Sequence, residues 1–331
     1  MSAAAPRTPD APPGASLPSL ADAAPWLVAY RPPFAFGSFF APEDTVLCAL
    51  AAADALRRVP DPRHVVELTA GSALVLSELL RTHPGLTGTA AEVDRDAVRR
   101  ARHNFRTLGI GDRARVHRVG LFSPGLATWL QQQGPDVLAC NPPYIPEPPD
   151  APLALVAGSG PRGDRHPRRT LRAAAEAGVA RVVLSWCSLG DPVGVLRTAV
   201  RAGYRLERLW AAALADGEYS GEVHAYLRTL PTAFLAEDTT SLARVAPDGS
   251  ARFAYLLLAG SFVLDEGPDT ARRGRRAVRR LRRLMAAFRD DGVAGVARAH
   301  AAGHPGLRAY VCDRTDELRL RATAHGPAAG R

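Results

Sequence analysis

Between His64 and Ala212, short apolar runs alternate with segments whose apolar positions recur every third or fourth residue. The runs predict buried strands over His64–Leu68, Thr87–Val93, Arg115–Val119, Asp136–Cys140, Arg181–Trp186 and Tyr204–Ala212. Helical spacing predicts helices near residues 73–80, 96–108, 169–177 and 193–202. A further helix is expected over Pro42–Leu56, where Val46, Leu47, Leu50 and Leu56 share a face and Pro42 and Glu43 suit a first turn. Strands alternating with helices predict the α/β class, with a doubly wound, mostly parallel Rossmann-like sheet. The long run Phe253–Leu264 predicts a last strand, antiparallel at the edge.

The same pattern divides the chain. Residues 1–25 are rich in Ala and Pro and poor in large apolar side chains, which predicts a disordered lead, with order starting near Trp26. Residues 26–60 are expected to form an N-terminal helical segment, and residues 61–265 the α/β domain, interrupted by a polar and aromatic insertion at 214–252 that has no clear period. Residues 266–331 are expected to form a basic helical extension. There Ala277, Val278, Leu281, Leu284, Met285 and Phe288 make one stripe, and eight arginines between Arg272 and Arg283 fill the other positions without an interleaved acid.

The cationic side chains are all Arg, and Lys is absent. The net charge of +9 can therefore reflect a compositional bias as well as a polyanionic partner. The density of Arg272–Arg283 exceeds what bias explains and favours contact with RNA or DNA, against a merely solvated face. Cys48, Cys140, Cys187 and Cys312 are scattered, which speaks for a reducing compartment and against a disulfide framework. His300, His304 and Cys312 could offer metal ligands, but Gly303 interrupts their helix and no metal is expected. The best apolar run, Ala254–Leu264, is too short to span a bilayer, so a cytoplasmic protein without membrane contact is expected.

In an open parallel sheet, ligands sit beyond the carboxyl ends of the strands. The first strand runs through Glu67 into Thr69-Ala70-Gly71-Ser72-Ala73, where Gly71 permits close backbone approach and the following helix offers free amides. Glu92 ends the second strand about 20 residues later, the spacing at which a nucleotide-binding sheet places its ribose acceptor. The fourth strand delivers Asn141-Pro142-Pro143-Tyr144. Two prolines stiffen that loop and present carbonyls, so the Asn141 side-chain oxygen and the Pro142 carbonyl can each accept one hydrogen of an NH2 group while Tyr144 stacks on the plane that carries it. Such acceptors favour a nitrogen attacking a sulfonium methyl group, because positive charge develops on that nitrogen.

These residues carry a resemblance. Asn141-Pro142-Pro143-Tyr144-Ile145-Pro146 resembles the signature of class I methyltransferases acting on exocyclic or amide nitrogen, and its trailing Ile-Pro is most similar to release-factor glutamine methyltransferases. Glu92-Val93-Asp94-Arg95-Asp96-Ala97-Val98, with Ala101 and Asn104, resembles that family's second-strand motif. Gly37-Ser38-Phe39-Phe40-Ala41-Pro42 resembles the segment that covers the cofactor in adenine-N6 methyltransferases. The resemblance spans about residues 34–212 and implies a methyltransferase sheet, S-adenosylmethionine as cofactor, and a protein glutamine or a nucleic-acid adenine as acceptor. It implies Asn141, Pro142 and Tyr144 as catalytic, and Glu67, Thr69, Gly71, Ala73, Glu92, Leu121, Phe122 and Asn141 at the cofactor. Pro143, Tyr144, Phe39 and Phe40 fall at the substrate. Two departures stand out: Thr69 and Ala73 replace glycines and are expected to crowd the cofactor, and Gly120-Leu121-Phe122 lacks the usual acid. They leave open a second reading, a nucleic-acid-binding protein on a degenerate methyltransferase fold. A nicotinamide-dependent dehydrogenase would share the sheet but gives Asn141–Tyr144 no task.

Overall fold

The computed structural model describes residues 16–37, 40–237, 242, 253–265, 267, 269–304 and 306–325. After a 3-10 turn at Pro25–Tyr30 come α1 (Pro42–Leu56), β1 (His64–Leu68), α2 (Leu74–Thr82), β2 (Thr87–Glu92), α3 (Arg95–Thr107), β3 (Ala114–Arg118), α4 (Leu126–Gln133) and β4 (Val137–Cys140). They are followed by α5 (Arg165–Glu176), β5 (Arg181–Cys187), α6 (Pro192–Arg201), β6 (Tyr204–Ala215) and the short helices α7 (Glu218–Glu222) and α8 (His224–Leu227). The chain then runs through β7 (Ala254–Leu264), α9 (Thr270–Ala301), β8 (Leu307–Cys312) and α10 (Arg314–His325).

The eight strands form one sheet in the order β3-β2-β1-β4-β5-β7-β6-β8. All neighbours are parallel except β7, which runs antiparallel to both β5 and β6. The order reverses between β1 and β4, the switch point at which doubly wound sheets open a crevice. Helices cover both faces, so β1, β4, β5 and β7 are buried almost throughout and read as continuous apolar runs. α3 shows the complementary pattern: Ala97, Val98, Ala101, Asn104 and Phe105 turn inward, and the Asp94 side chain caps the helix by accepting from the Ala97 amide at 2.7 Å.

Three features depart from the sequence expectation. The antiparallel strand lies on the expected side of the sheet, but β6 and then β8 continue beyond it, so the extension contributes a strand as well as helices. Order also sets in before Trp26. Leu17 and Leu20 are buried, and the chain at Pro18–Leu20 pairs with Val311 of β8, donating to it at 2.8 Å and accepting from it at 3.0 Å. A lead that cannot form a core by itself can still add to an exposed strand edge. Finally, α4 has no clear hydrophobic period, because only Leu126 and Leu130 are buried; left-handed glycines, Gly125 and Gly134, bound it at both ends. In the insertion, α7 and α8 follow β6, and residues 243–252 lie outside the described part.

Candidate active site

The carboxyl ends of β1, β2, β3 and β4 surround one cavity of about 470 Å³, a volume suited to a nucleoside-sized ligand. After β1 the backbone takes three left-handed steps, at Thr69 (φ 53°), Gly71 (φ 53°) and Ala73 (φ 59°). This alternation directs the chain from strand into α2, and at two of the three positions a residue with a Cβ bears a conformation that favours glycine. Glu67, Thr69 and Gly71 line the cavity. Space beside Gly71 is open, since nothing lies within 4 Å of where a Cβ would stand. Ala73 does not line the cavity and is fully buried at the start of α2, so it cannot crowd a ligand there. Thr69 turns its hydroxyl to the Leu68 carbonyl at 2.6 Å, with the Cys140 sulfur 3.4 Å away.

Two carboxylates face this turn. Glu92 accepts from the Gly71 amide at 2.8 Å with one oxygen and from the Val93 and Asp94 amides at 2.6 and 3.0 Å with the other. Of its roughly four lone-pair positions three are engaged, so about one remains for a ligand hydroxyl. Glu67 is buried and accepts from the Leu76 amide at 2.9 Å. Burial pushes its carboxyl up to about 8, against the opposing effect of that amide.

The wall after β3 is apolar. Leu121 is buried, while Phe122 is exposed at its ring, with the Arg165 guanidinium 4.6 Å above it and the His166 ring edge-on at 5.0 Å. His166 pairs with the Ser159 hydroxyl at 2.9 Å, and burial together with the Arg165 charge pushes its imidazole down to about 4, so it is neutral near pH 7.

Asn141 and Pro143 line the cavity at the end of β4. The Asn141 side-chain oxygen is shielded from solvent and has no hydrogen-bond partner among the described residues. A buried acceptor of this kind normally finds a donor. Pro142 is buried and, unlike its neighbours Asn141 and Pro143, does not line the cavity. Tyr144 departs from its expected place: it is 6% exposed, packs in the core and does not line the cavity. Its hydroxyl donates to the Asp44 carboxylate on α1, so the ring is not available to stack on a substrate. Phe40 and Thr45 close the opposite side, and Phe40 stacks on Phe36 with centroids 4.1 Å apart. This strap is fastened by the buried Asn104, which bonds both polar groups of the Ala35 backbone at 2.8 and 3.0 Å and the Ser72 carbonyl at 3.0 Å. Phe39 lies outside the described residues.

Several lining residues were not foreseen from the sequence. Beyond Tyr144, Ile145 pairs with Gly158, and Glu147 fastens the intervening loop by accepting from the Leu153 and Gly160 amides at 2.7 and 2.8 Å. The loop carries Leu155, 72% exposed, and Val156 to the cavity mouth. No periodicity marks these residues; two large apolar side chains inside a Pro- and Gly-rich stretch were the available signal. His166 likewise gave no sign beyond its residue type.

No family model matches the chain. Over 88 residues it is 35% identical to the release factor glutamine methyltransferase of Chlorobaculum tepidum, covering 26% of this chain and 29% of that protein. Over 83 residues it is 37% identical to the release factor glutamine methyltransferase of Rhodospirillum rubrum, covering 25% of this chain and 23% of that protein. The matched part is thus less than a third of the length of either relative. Among solved structures, a SAM-dependent methyltransferase from Agrobacterium tumefaciens aligns with a TM-score of 0.41 and 12% identity, covering 67% of this chain and 63% of that one. TrmN from Thermus thermophilus aligns with a TM-score of 0.37 and 16% identity, over 65% of this chain and 48% of that one. Structural likeness at this level bears no weight for the chemistry.

Proposed function

We propose that the chain is a class I S-adenosylmethionine-dependent methyltransferase that places a methyl group on a planar NH2 nitrogen, either a protein glutamine amide or the exocyclic amine of adenine. The observation that carries this reading is the solvent-shielded, unpartnered Asn141 oxygen in a cavity whose other walls suit a nucleoside-containing cofactor. Sequence similarity to release factor glutamine methyltransferases supports the same chemistry.

The residues present fit the cofactor. Glu92 retains an acceptor position for a ribose hydroxyl, Gly71 leaves space against the backbone, and Glu67 lines the cavity with a carboxyl that an incoming ammonium group would draw back toward its ionised form. Leu121 and Phe122 provide an apolar wall for a flat base without the usual acid. When bound, the cofactor supplies an electrophilic methyl group. The chain's own task is then to hold the nitrogen. The lone pair of an amide or aromatic amine is delocalised, and an acceptor on each N–H, the Asn141 oxygen and the Pro142 carbonyl, favours the more pyramidal, electron-rich nitrogen. Pro143 and Phe40 confine the planar group, while Leu155 and Val156 at the mouth displace water.

Calorimetric titration with S-adenosylmethionine tests the proposal. Stoichiometric binding is expected, weakened by roughly 1.5–3 kcal/mol in Glu92→Ala, the worth of a hydrogen bond to a charged group. Absence of binding by the folded wild-type chain would overturn it and leave the nucleic-acid-binding alternative. Methylation of a glutamine peptide or of an adenine-containing oligonucleotide then identifies the acceptor.

A further inference from the structure

The arginines of α9 are anchored on a fixed support. Leu281, Leu284, Met285 and Phe288 are buried against the sheet, and Gly274 meets α6 so closely that a Cβ there would stand 2.4 Å from a Val200 methyl. The helix therefore presents its outer face in one orientation. Arg276 and Arg280 line a groove whose other wall is the start of β6, with Arg205, Glu207 and Arg208, and whose end is closed by His304. Arg279 and Arg283 extend it along the helix.

The charges in this groove are unevenly matched. On the β6 wall Arg205 pairs with Asp265 at 3.4 Å, Arg208 with Asp54 at 3.6 Å, and Glu207 with Arg181. At the helix start Arg272 and Arg273 pair with Asp269 and Asp265. Arg275, Arg276, Arg279, Arg280, Arg282 and Arg283 have no ion pair among the described residues, although elsewhere in the chain arginines such as Arg99 and Arg168 do. A compositional preference for Arg over Lys does not account for a stretch, residues 272–283, that carries eight arginines and no acid, while the acids of α9, Asp290 and Asp291, stand further along and pair with Arg289 and Arg298. Burial, and the charges of Arg280 and Arg283, also hold the His304 imidazole below its ordinary value, as expected where like charges crowd.

Register fixes where the groove lies. Arg205 shares a row with Val263 and with Arg181, the first residue of β5, and thus stands at the amino-terminal edge of the parallel strands. The cavity is at their carboxyl edge, about 15 Å away for five residues of strand. We infer that the groove between α9 and the start of β6 is a second binding site, for the phosphate backbone of a nucleic acid, separate from the cavity that holds Asn141. Length favours a polymer: from Arg272 to Arg283 the helix rises about 16 Å, several times the axial charge spacing of about 3.4 Å per strand of a duplex. The arginine forks suit phosphate oxygens, and a small phosphorylated molecule would leave most of the row unused. The site does not depend on methyl transfer; a nucleic acid held here meets the cavity only if it extends around the sheet edge.

The test is fluorescence anisotropy of the full chain with a labelled 20-nucleotide RNA hairpin across a salt series. Replacing Arg276, Arg279, Arg280 and Arg283 by Gln is expected to weaken binding roughly 100-fold near 0.15 M salt and to lower the slope of log K against log salt by about 3. A control with the same loss of charge, Arg99, Arg102, Arg106 and Arg115 to Gln on the exposed surface of α3 and β3, is expected to keep the wild-type slope. Equal losses in the two variants, or retained binding in the first, would overturn the site. Displacement of the RNA by polyglutamate at equal charge, as readily as by unlabelled RNA, would show a surface for acidic polypeptides, and displacement by millimolar inorganic phosphate would show a small-anion site; either outcome would overturn the nucleic-acid assignment. Unchanged thermal unfolding of the groove variant establishes that the loss is not one of folding, and S-adenosylmethionine affinity, measured on the same samples, reports separately on the cavity.

Discussion

The Tyr144 hydroxyl donates to the Asp44 carboxylate, joining the loop that bears Asn141 to the helix that walls the other side of the cavity. Both groups are buried, and burial pushes the Asp44 carboxyl up to about 6 while the Tyr144 hydrogen bond opposes that rise. The pair joins two elements that share no strand register, so Tyr144 holds the loop of Asn141 against α1 and does not itself line the cavity.

Tyr144→Phe keeps the ring and removes the donor, leaving Asp44 without it. A loss of about 1–3 kcal/mol of stability is expected, with Asp44→Asn in the same background recovering part of it. Denaturant titration of the wild type and the two variants is the measurement; a fully stable Tyr144→Phe would mean that the hydroxyl does not hold the loop.

Asn141→Ala removes the side-chain oxygen that has no partner among the described residues. Affinity for S-adenosylmethionine is expected to stay within about twofold, while turnover falls by roughly 10²–10³, the range seen when one donor or acceptor that acts on developing charge is lost. Single-turnover methyl transfer separates the two quantities, and near-normal turnover would take Asn141 out of the reaction.

The pH dependence of stability has a definite sign. Burial raises the Glu67 carboxyl from 4.5 to about 8, and burial with the neighbouring Asp44 charge raises Glu43 to about 8 as well. Between those limits the folded chain holds more protons than the unfolded one, so this stability is fully present below pH 4.5 and is lost as pH rises through 8. Melting temperature of the free protein is therefore expected to fall from pH 5 to pH 8.5 by several degrees. Glu67→Gln should flatten that slope. A slope that is unchanged in the variant would remove Glu67 as its source.

Left-handed Ala73 makes the turn after β1 improvable. Ala73→Gly relieves about 1–2 kcal/mol of steric cost against about 0.5–1 kcal/mol of added chain entropy, for a net gain near 1 kcal/mol. Chemical denaturation checks the gain. Cofactor affinity is expected to hold, because Ala73 faces the core and not the cavity.

Local physics made much of this molecule legible in sequence. Strands buried on both faces must be apolar throughout, so β1, β4, β5 and β7 announced themselves, and the strand-end residues Gly71, Glu92 and Asn141 followed from the rule that parallel sheets bind ligands at their carboxyl edge. Long-range pairing was not legible. The β8 edge strand and its partner at Pro18–Leu20 are about 290 residues apart in sequence, joined by backbone bonds that any side chain allows. The direction of Tyr144 was hidden for the same reason: an aromatic after two prolines fits a stacking platform or a core anchor equally well, and only the presence of Asp44 on α1, 100 positions earlier, decides for the core. Composition supplied the arginines of α9, but their separation from the Asn141 cavity by the length of a strand is a property of sheet register, which tertiary structure alone sets.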